Sequence, residues 1–334
     1  MQYIPIPILL VVTISANLGS GVVNRHYSKN VTGGIGGFFL FLIITSAVSV
    51  LGITVIGASE LSVSPYTAGI GIAFGVVMAV SAVFLLYSIM IGPWSYTTVI
   101  TSFSTIIPAL AGVVLWDQSI DTLTIIGMAL VGCSIVLSVM SDKKKVAMSP
   151  VTVLCGSETV ATSGAPAIGA SAGEKKQKTR MSGKWLACVT AAALASGCIG
   201  ILQQVHQKSA YRGELMSMLA IAFAAETVIL CVAFGIFIAK YGKTAVFAHP
   251  PKTKKAAALL AFLIVLAGLG GMLNHVINLY LAGVMESAVF FPLVNGSNLV
   301  LVTILSIFVY KERLSVKQWI GLGVGIAAVL CLCL

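Results

Sequence analysis

The sequence predicts an all-α polytopic membrane protein, with ten transmembrane helices forming two inverted five-helix repeats. Three observations predict it. Apolar stretches of about 20 residues, the length a helix needs to cross a bilayer, recur along the chain. Hydrophobic residues make up 58% of the 334 and charged residues only 9%. The second half repeats the order and the lengths of the first.

A typical soluble domain is about 25% charged. A chain this poor in charge, with a mean hydropathy of +1.03, cannot cover a water-facing surface, so lipid must be the solvent for much of it. In hydrocarbon every backbone polar group must be paired, which leaves helices or a closed barrel. Barrel strands would alternate apolar and polar residues over about 10 positions, and that alternation is absent here. The expected spans are residues 4–23, 33–57, 66–90, 94–115, 122–140, 185–205, 215–239, 256–282, 287–310 and 316–334. Most are joined by short polar connectors such as Lys311-Glu312-Arg313. The first begins near Ile4 with no basic residue before it and is too long for the apolar part of a signal peptide, so it reads as a span.

The exception is the segment 141–184. It opens on Lys143-Lys144-Lys145, runs through Ser, Thr, Ala and Gly, and closes on Lys175, Lys176, Lys178, Arg180 and Lys184. Such a composition cannot bury a core and reads as a flexible basic linker. It separates a first repeat (1–140) from a second (185–334). A shift of 180 residues lays Asn24 and His26 on Gln204 and His206, and Ser46 on Glu226. A shift of 193 lays Leu86-Tyr87 on Leu279-Tyr280 and Ser102 on Asn295. Five spans per repeat is an odd number, so the second copy must enter the membrane upside down, as in many secondary transporters.

Charge sets the orientation. Eighteen of the 20 Lys and Arg residues fall in loops one, five, seven and nine, and only Lys208 and Arg212 fall in an even loop, the sixth. The positive-inside rule puts the odd loops in the cytoplasm and both termini outside, in a cell membrane. It also explains the net charge of +10 without a nucleic-acid partner. Six of the seven cysteines lie inside apolar spans and none has zinc-ligand spacing. No Gly-Lys-Ser/Thr loop is present, and no paired carboxylate or Ser/His/Asp set, so no cofactor and no enzyme activity is expected.

The segment Ile107 to Gly127 ends an apolar helix in the acidic turn Asp117-Gln-Ser-Ile-Asp121 and then starts a glycine-rich helix. Leu301 to Gly321 does the same through Glu312-Arg-Leu-Ser and Trp319-Ile-Gly. This pattern resembles the EamA-type family of the drug/metabolite transporter superfamily, although Asp117 stands where that family usually has glutamate. The resemblance covers nearly the whole chain. It implies a cavity between the halves, alternating access, packing helices at spans five and ten, and termini in the cytoplasm, opposite to what the charge count gives.

Polar residues inside spans are costly and default to function. Glu226 stands near the middle of span seven. A charge there costs about 2.5–3.5 kcal/mol on insertion scales, so it is a candidate for proton coupling or for countering a cationic substrate. Asn17 lies on a polar stripe of span one with Thr13, Ser20 and Asn24. Gln203 lies on a similar stripe of span six. Asn274 and Asn278 are one turn apart in span eight with His275 beside them, and Asn295 and Asn298 follow Pro292 in span nine. Ser102 precedes Pro108 in span four. Tyr87 and Tyr96 are candidate cavity walls. Gly71/Gly75 and Gly321/Gly325 have the small-xxx-small spacing of close helix contacts, and span ten offers a glycine-rich face for a homodimer. The function expected is secondary transport of a small polar metabolite, an amino acid or related solute. Alternatives are a carrier of cationic or quaternary amines and a membrane protein that does not transport.

Overall fold

A chain of this composition has to satisfy its own backbone, and it does so as helices. The structure, a computed structural model, describes residues 4–30, 35–58, 61–91, 97, 100–101, 103–118, 121–139, 183–242, 253–310 and 316–333. Among these are ten α-helices of eleven residues or more and no β-strand. They are α1 (Ile6–Asn30), α2 (Ile35–Ile56), α3 (Pro65–Ile91), α4 (Ile106–Trp116), α5 (Thr122–Val139), α6 (Gly183–Gln207), α7 (Leu215–Tyr241), α8 (Lys254–Val284), α9 (Ser287–Tyr310) and α10 (Val316–Cys333). Nearly all of the linker 141–184 lies outside the described residues.

Two boundaries differ from expectation for physical reasons. Helix α1 runs on to Asn30, past the polar residue that ends its apolar stretch, because polarity ends a span without ending a helix. The span expected over 94–115 is interrupted by the 3₁₀ turn Phe103–Thr105: before it the described residues Thr97, Ile100 and Thr101 are helical, and after it helix α4 runs from Ile106. Pro108 therefore sits in the first turn of α4, where its missing N–H costs nothing. Pro292, by contrast, lies within α9. Helix α4 ends at Asp117, whose φ of 48° and ψ of 36° are left-handed. Aspartate tolerates that region better than a longer side chain does.

Six helices, α2, α3, α6, α7, α8 and α10, are long and apolar enough to cross a membrane by length and composition. Large apolar side chains face outward while many polar ones are buried among the apolar core. Val55 and Val114 are 76% exposed and Ile236 is 65% exposed, whereas Thr13, Gln204, His206 and Asn298 are fully buried. An apolar exterior, with the polar side chains kept inside, is what a bilayer requires. The protein is a helical membrane protein.

Helices from the two ends of the chain interleave. Helix α5 packs on α10, α3 on α6 and α7, α1 on α8, α2 on α7 and α8, and α4 on α9 and α6. The expected small-residue contacts are realised at α3. A Cβ on Gly71 would come within 2.9 Å of the Met218 carbonyl oxygen, and one on Gly75 within 2.2 Å of the Ala222 carbonyl oxygen. Gly268 of α8 meets α2 in the same way, 2.9 Å from the Thr45 carbonyl oxygen and from Val48 Cβ. Such close approach gains dispersion and suits a solvent that drives no hydrophobic association. Gly321 and Gly325 are used inside the chain: the Ser134 hydroxyl of α5 donates to the Gly321 carbonyl at 2.7 Å and would lie 2.7 Å from a Cβ on Gly325.

Candidate substrate cavity

Four helices, α1, α2, α7 and α8, enclose a polar cavity near the middle of the bundle. Its walls are Asn17 and Ser20 from α1, Phe41, Leu42, Thr45, Ser46 and Ser49 from α2, Phe223 and Glu226 from α7, and Ala267, Gly268, Gly271, Asn274 and His275 from α8. Met78 of α3 closes one side. About 70 Å³ of it is open to water, room for only a few molecules. It is therefore narrow and mostly filled by its own side chains.

Glu226 is 6% exposed and faces this space. Ser46 Oγ donates to Glu226 Oε2 at 2.8 Å, and Thr227 Oγ1 stands 3.0 Å from Ser46 Oγ. A carboxylate that accepts from a fixed hydroxyl is a charge-assisted contact, stronger than a neutral one. His275 is wedged edge-on between aromatic rings, 5.2 Å from the centroid of Phe223 and 6.3 Å from that of Phe74. Asn17 is 3% exposed, and its Nδ2 has no hydrogen-bond partner among the described residues.

One turn from the cavity, the polar stripes of α1 and α8 meet. Thr13 Oγ1 lies 2.7 Å from Asn274 Oδ1 and 3.0 Å from Asn278 Oδ1, and Asn278 Nδ2 donates to Asn274 Oδ1 at 3.1 Å. Four of the expected site residues, Asn17, Glu226, Asn274 and His275, thus share the cavity, with Asn278 just behind them.

The other expected site residues are elsewhere. Gln203 is buried on α6 but is not a cavity wall. Asn295 Nδ2 donates to the Phe291 carbonyl of its own helix at 2.9 Å. Asn298 is fully buried on α9, away from this cavity, and neither atom of its amide has a partner among the described residues. Tyr87 is 47% exposed. It lies nine residues after the wall residue Met78, which turns it by about 180° on a helix of 3.6 residues per turn. Tyr96 and Ser102 lie outside the described residues.

Two features were not expected. The first is Gln204, which holds three helices together: its Nε2 donates to the Pro108 carbonyl at 3.0 Å, and its Oε1 accepts from Ser287 Oγ. The Ser287 N–H, unpaired within the first turn of α9, donates to Gln118 Oε1 at 2.9 Å. The second is a cap at the same end of the bundle. Glu214 Oε2 accepts from the Ser64 N–H at 2.9 Å and from its hydroxyl at 2.7 Å, and Ser64 in turn caps α3. Tyr66 stacks on Tyr211 beside it at 5.2 Å. Lys208 stands 4.9 Å over the ring of Trp116. Partial burial there holds its ammonium below the usual lysine range, an effect that Glu286 opposes. Glu214 and Ser64 are 150 residues apart, and only the folded chain brings them together.

No family model matches the chain, and no curated protein matches it either. A solved structure described only as "Crystal structure of protein" is similar to it in fold, with a TM-score of 0.63 over 97% of this chain and 95% of that one. The two are 12% identical in sequence.

Proposed function

We propose that this protein is a secondary transporter that moves a small polar solute by alternating access through the cavity around Glu226. The observation that carries the reading is the placement of a deep acid in a polar cavity walled by helices from both halves, inside a bundle whose exterior is apolar. A purely structural glutamate has no need of an open, hydroxyl-lined space beside it.

The packing supports ten spans in two inverted repeats. Exchanging each helix n for n+5 turns the contact α1–α8 into α3–α6 and α2–α8 into α3–α7, and leaves α2–α7, α4–α9 and α5–α10 unchanged. Gly75 and Gly268, equivalent at a shift of 193, meet equivalent partners. Thr45 and Ala222, like Val48 and Ala225, are 177 residues apart. In this helix pair a shift of 177 fits the contacts better than 180, and Ser49 then corresponds to Glu226. Under either register the acid has a serine as its counterpart, so the two halves differ in charge at the cavity.

The resemblance to EamA-type transporters agrees with this layout. The homodimer expected through α10 would have to use its outer face, where Gly323 has open space beside it, because Gly321 and Gly325 are already packed on α5. The second reading, a carrier of cationic or quaternary amines, rests on the same Glu226.

Flux into proteoliposomes is the test. Uptake or exchange of a small polar solute that is abolished in Glu226→Gln supports the proposal. A correctly reconstituted protein that moves no solute in a broad metabolite panel, with and without a pH gradient, overturns it.

A further inference from the structure

The hydroxyls around the cavity all direct their protons into the protein. Ser20 Oγ donates to the Ala267 carbonyl at 3.2 Å. Thr45 Oγ1 lies 3.0 Å from both the Phe41 and the Leu42 carbonyl. Ser49 Oγ lies 3.0 Å from the Thr45 and Gly268 carbonyls, and Ser46 donates to Glu226. A hydroxyl has one proton and two lone pairs, so with its proton engaged each of these four has only a lone pair, not a proton, to offer a solute. With the Glu226 carboxylate the lining is rich in acceptors, and no Lys or Arg is among the walls. Its donors are the amide and ring N–H groups of Asn17, Asn274 and His275, and one of them, Asn17 Nδ2, 97% buried with its residue, has no partner among the described residues. A buried donor left unpaired costs about 1–3 kcal/mol, so it calls for an acceptor on whatever occupies the cavity.

On this basis, and resting on the transport reading above, we infer that the solute is a small primary ammonium carrying one uncharged hydrogen-bond acceptor, such as a hydroxyl or an amide carbonyl. A primary ammonium offers three N–H donors to the carboxylate and the serine and threonine oxygens. A quaternary ammonium offers none and needs an aromatic cage, whereas the rings here are Phe41, Phe223 and His275 among many polar walls. A free carboxylate would meet Glu226 with no compensating cation. The narrowness of the cavity restricts the solute to a few heavy atoms beyond its ammonium.

The experiment measures binding to the purified full chain in lipid nanodiscs by calorimetry and thermal shift, with ethanolamine, ethylamine, choline, glycine and sodium chloride as probes. Ethanolamine is expected to bind most tightly. Ethylamine, which lacks the acceptor, should bind about tenfold more weakly, the value of one hydrogen bond to a buried donor. Choline and glycine should give no shift. Asn17→Leu should bring ethanolamine down to the affinity of ethylamine, and Asn17→Ser is the substitute where the leucine variant does not fold. The inference is overturned if choline or glycine binds as well as ethanolamine, if the Asn17 variants keep the preference, or if sodium alone gives the shift and the amines do not. Binding of ethanolamine without flux of any solute overturns the transport reading and leaves the ligand class standing. Flux of a solute that is not an amine does the reverse.

Discussion

Ser46 and Glu226 meet where α2 crosses α7, hydroxyl to carboxylate at 2.8 Å, although 180 residues separate them. The contact joins the two halves of the chain at its only deeply buried acid among the described residues. Any movement that slides α2 along α7 has to break it, and whatever enters the cavity meets it.

The pair is expected to be coupled energetically. In a double-mutant cycle of Ser46→Ala and Glu226→Ala, unfolding free energies in mixed micelles should yield an interaction of about 1.5–3 kcal/mol, the range for hydrogen bonds to a charged group. Strict additivity would mean that the glutamate is neutral or held by other groups.

Glu226→Gln should fold at least as well as the parent. The amide keeps an acceptor for Ser46 and removes a charge that costs about 2.5–3.5 kcal/mol at the centre of a membrane helix. Amine binding should be lost with it. A melting temperature that falls while binding persists would assign Glu226 a structural role only.

Gly75→Ala should destabilise far more than an ordinary glycine change, because its Cβ would stand 2.2 Å from the Ala222 carbonyl oxygen and neither backbone can yield. Gly235→Ala in α7 is the control: nothing lies within 4 Å of its Cβ, and alanine in a helix interior gains about 0.5–1 kcal/mol over glycine. Thermal unfolding of both variants separates the close crossing of α3 and α7 from helix propensity.

Glu214→Ala and Ser64→Ala should each lower the melting temperature, and the double variant should be no worse than the poorer single one. Both remove the same cap, in which the carboxylate takes the Ser64 N–H and hydroxyl at the start of α3. Additive losses would mean that the two residues act separately.

Orientation is testable at the same end of the bundle. A cysteine introduced at Ser209, in a variant without the native cysteines, should react with an impermeant maleimide added outside intact cells. The basis is the bias of eighteen to two in the placement of Lys and Arg residues between odd and even loops. Labelling only after the cytoplasm is opened would place the termini inside, as in EamA-type proteins.

The sequence by itself determined the solvent and the elements. Unbroken apolar stretches and scarce charge dictate membrane helices, because unpaired backbone in hydrocarbon is so costly. The one acid within a span marked Glu226 for the same reason. Helical spacing put Asn17 with Thr13 and Asn274 with Asn278, and those stripes do face each other. Only the tertiary structure decided which polar residues share a space. Tyr87, Gln203, Asn295 and Asn298 lie on polar or aromatic positions of equal promise in the sequence, yet none walls the cavity, because α6 and α9 pack outside its walls and Tyr87 is turned to the opposite side of α3 from Met78. Gln204 and Glu214 were missed because their partners, Pro108, Ser287 and Ser64, lie 83 to 150 residues away. Direction was hidden in the same way: a serine in the sequence is both donor and acceptor, and only the folded neighbours of Ser20, Thr45, Ser46 and Ser49 use up the protons and leave these groups as acceptors.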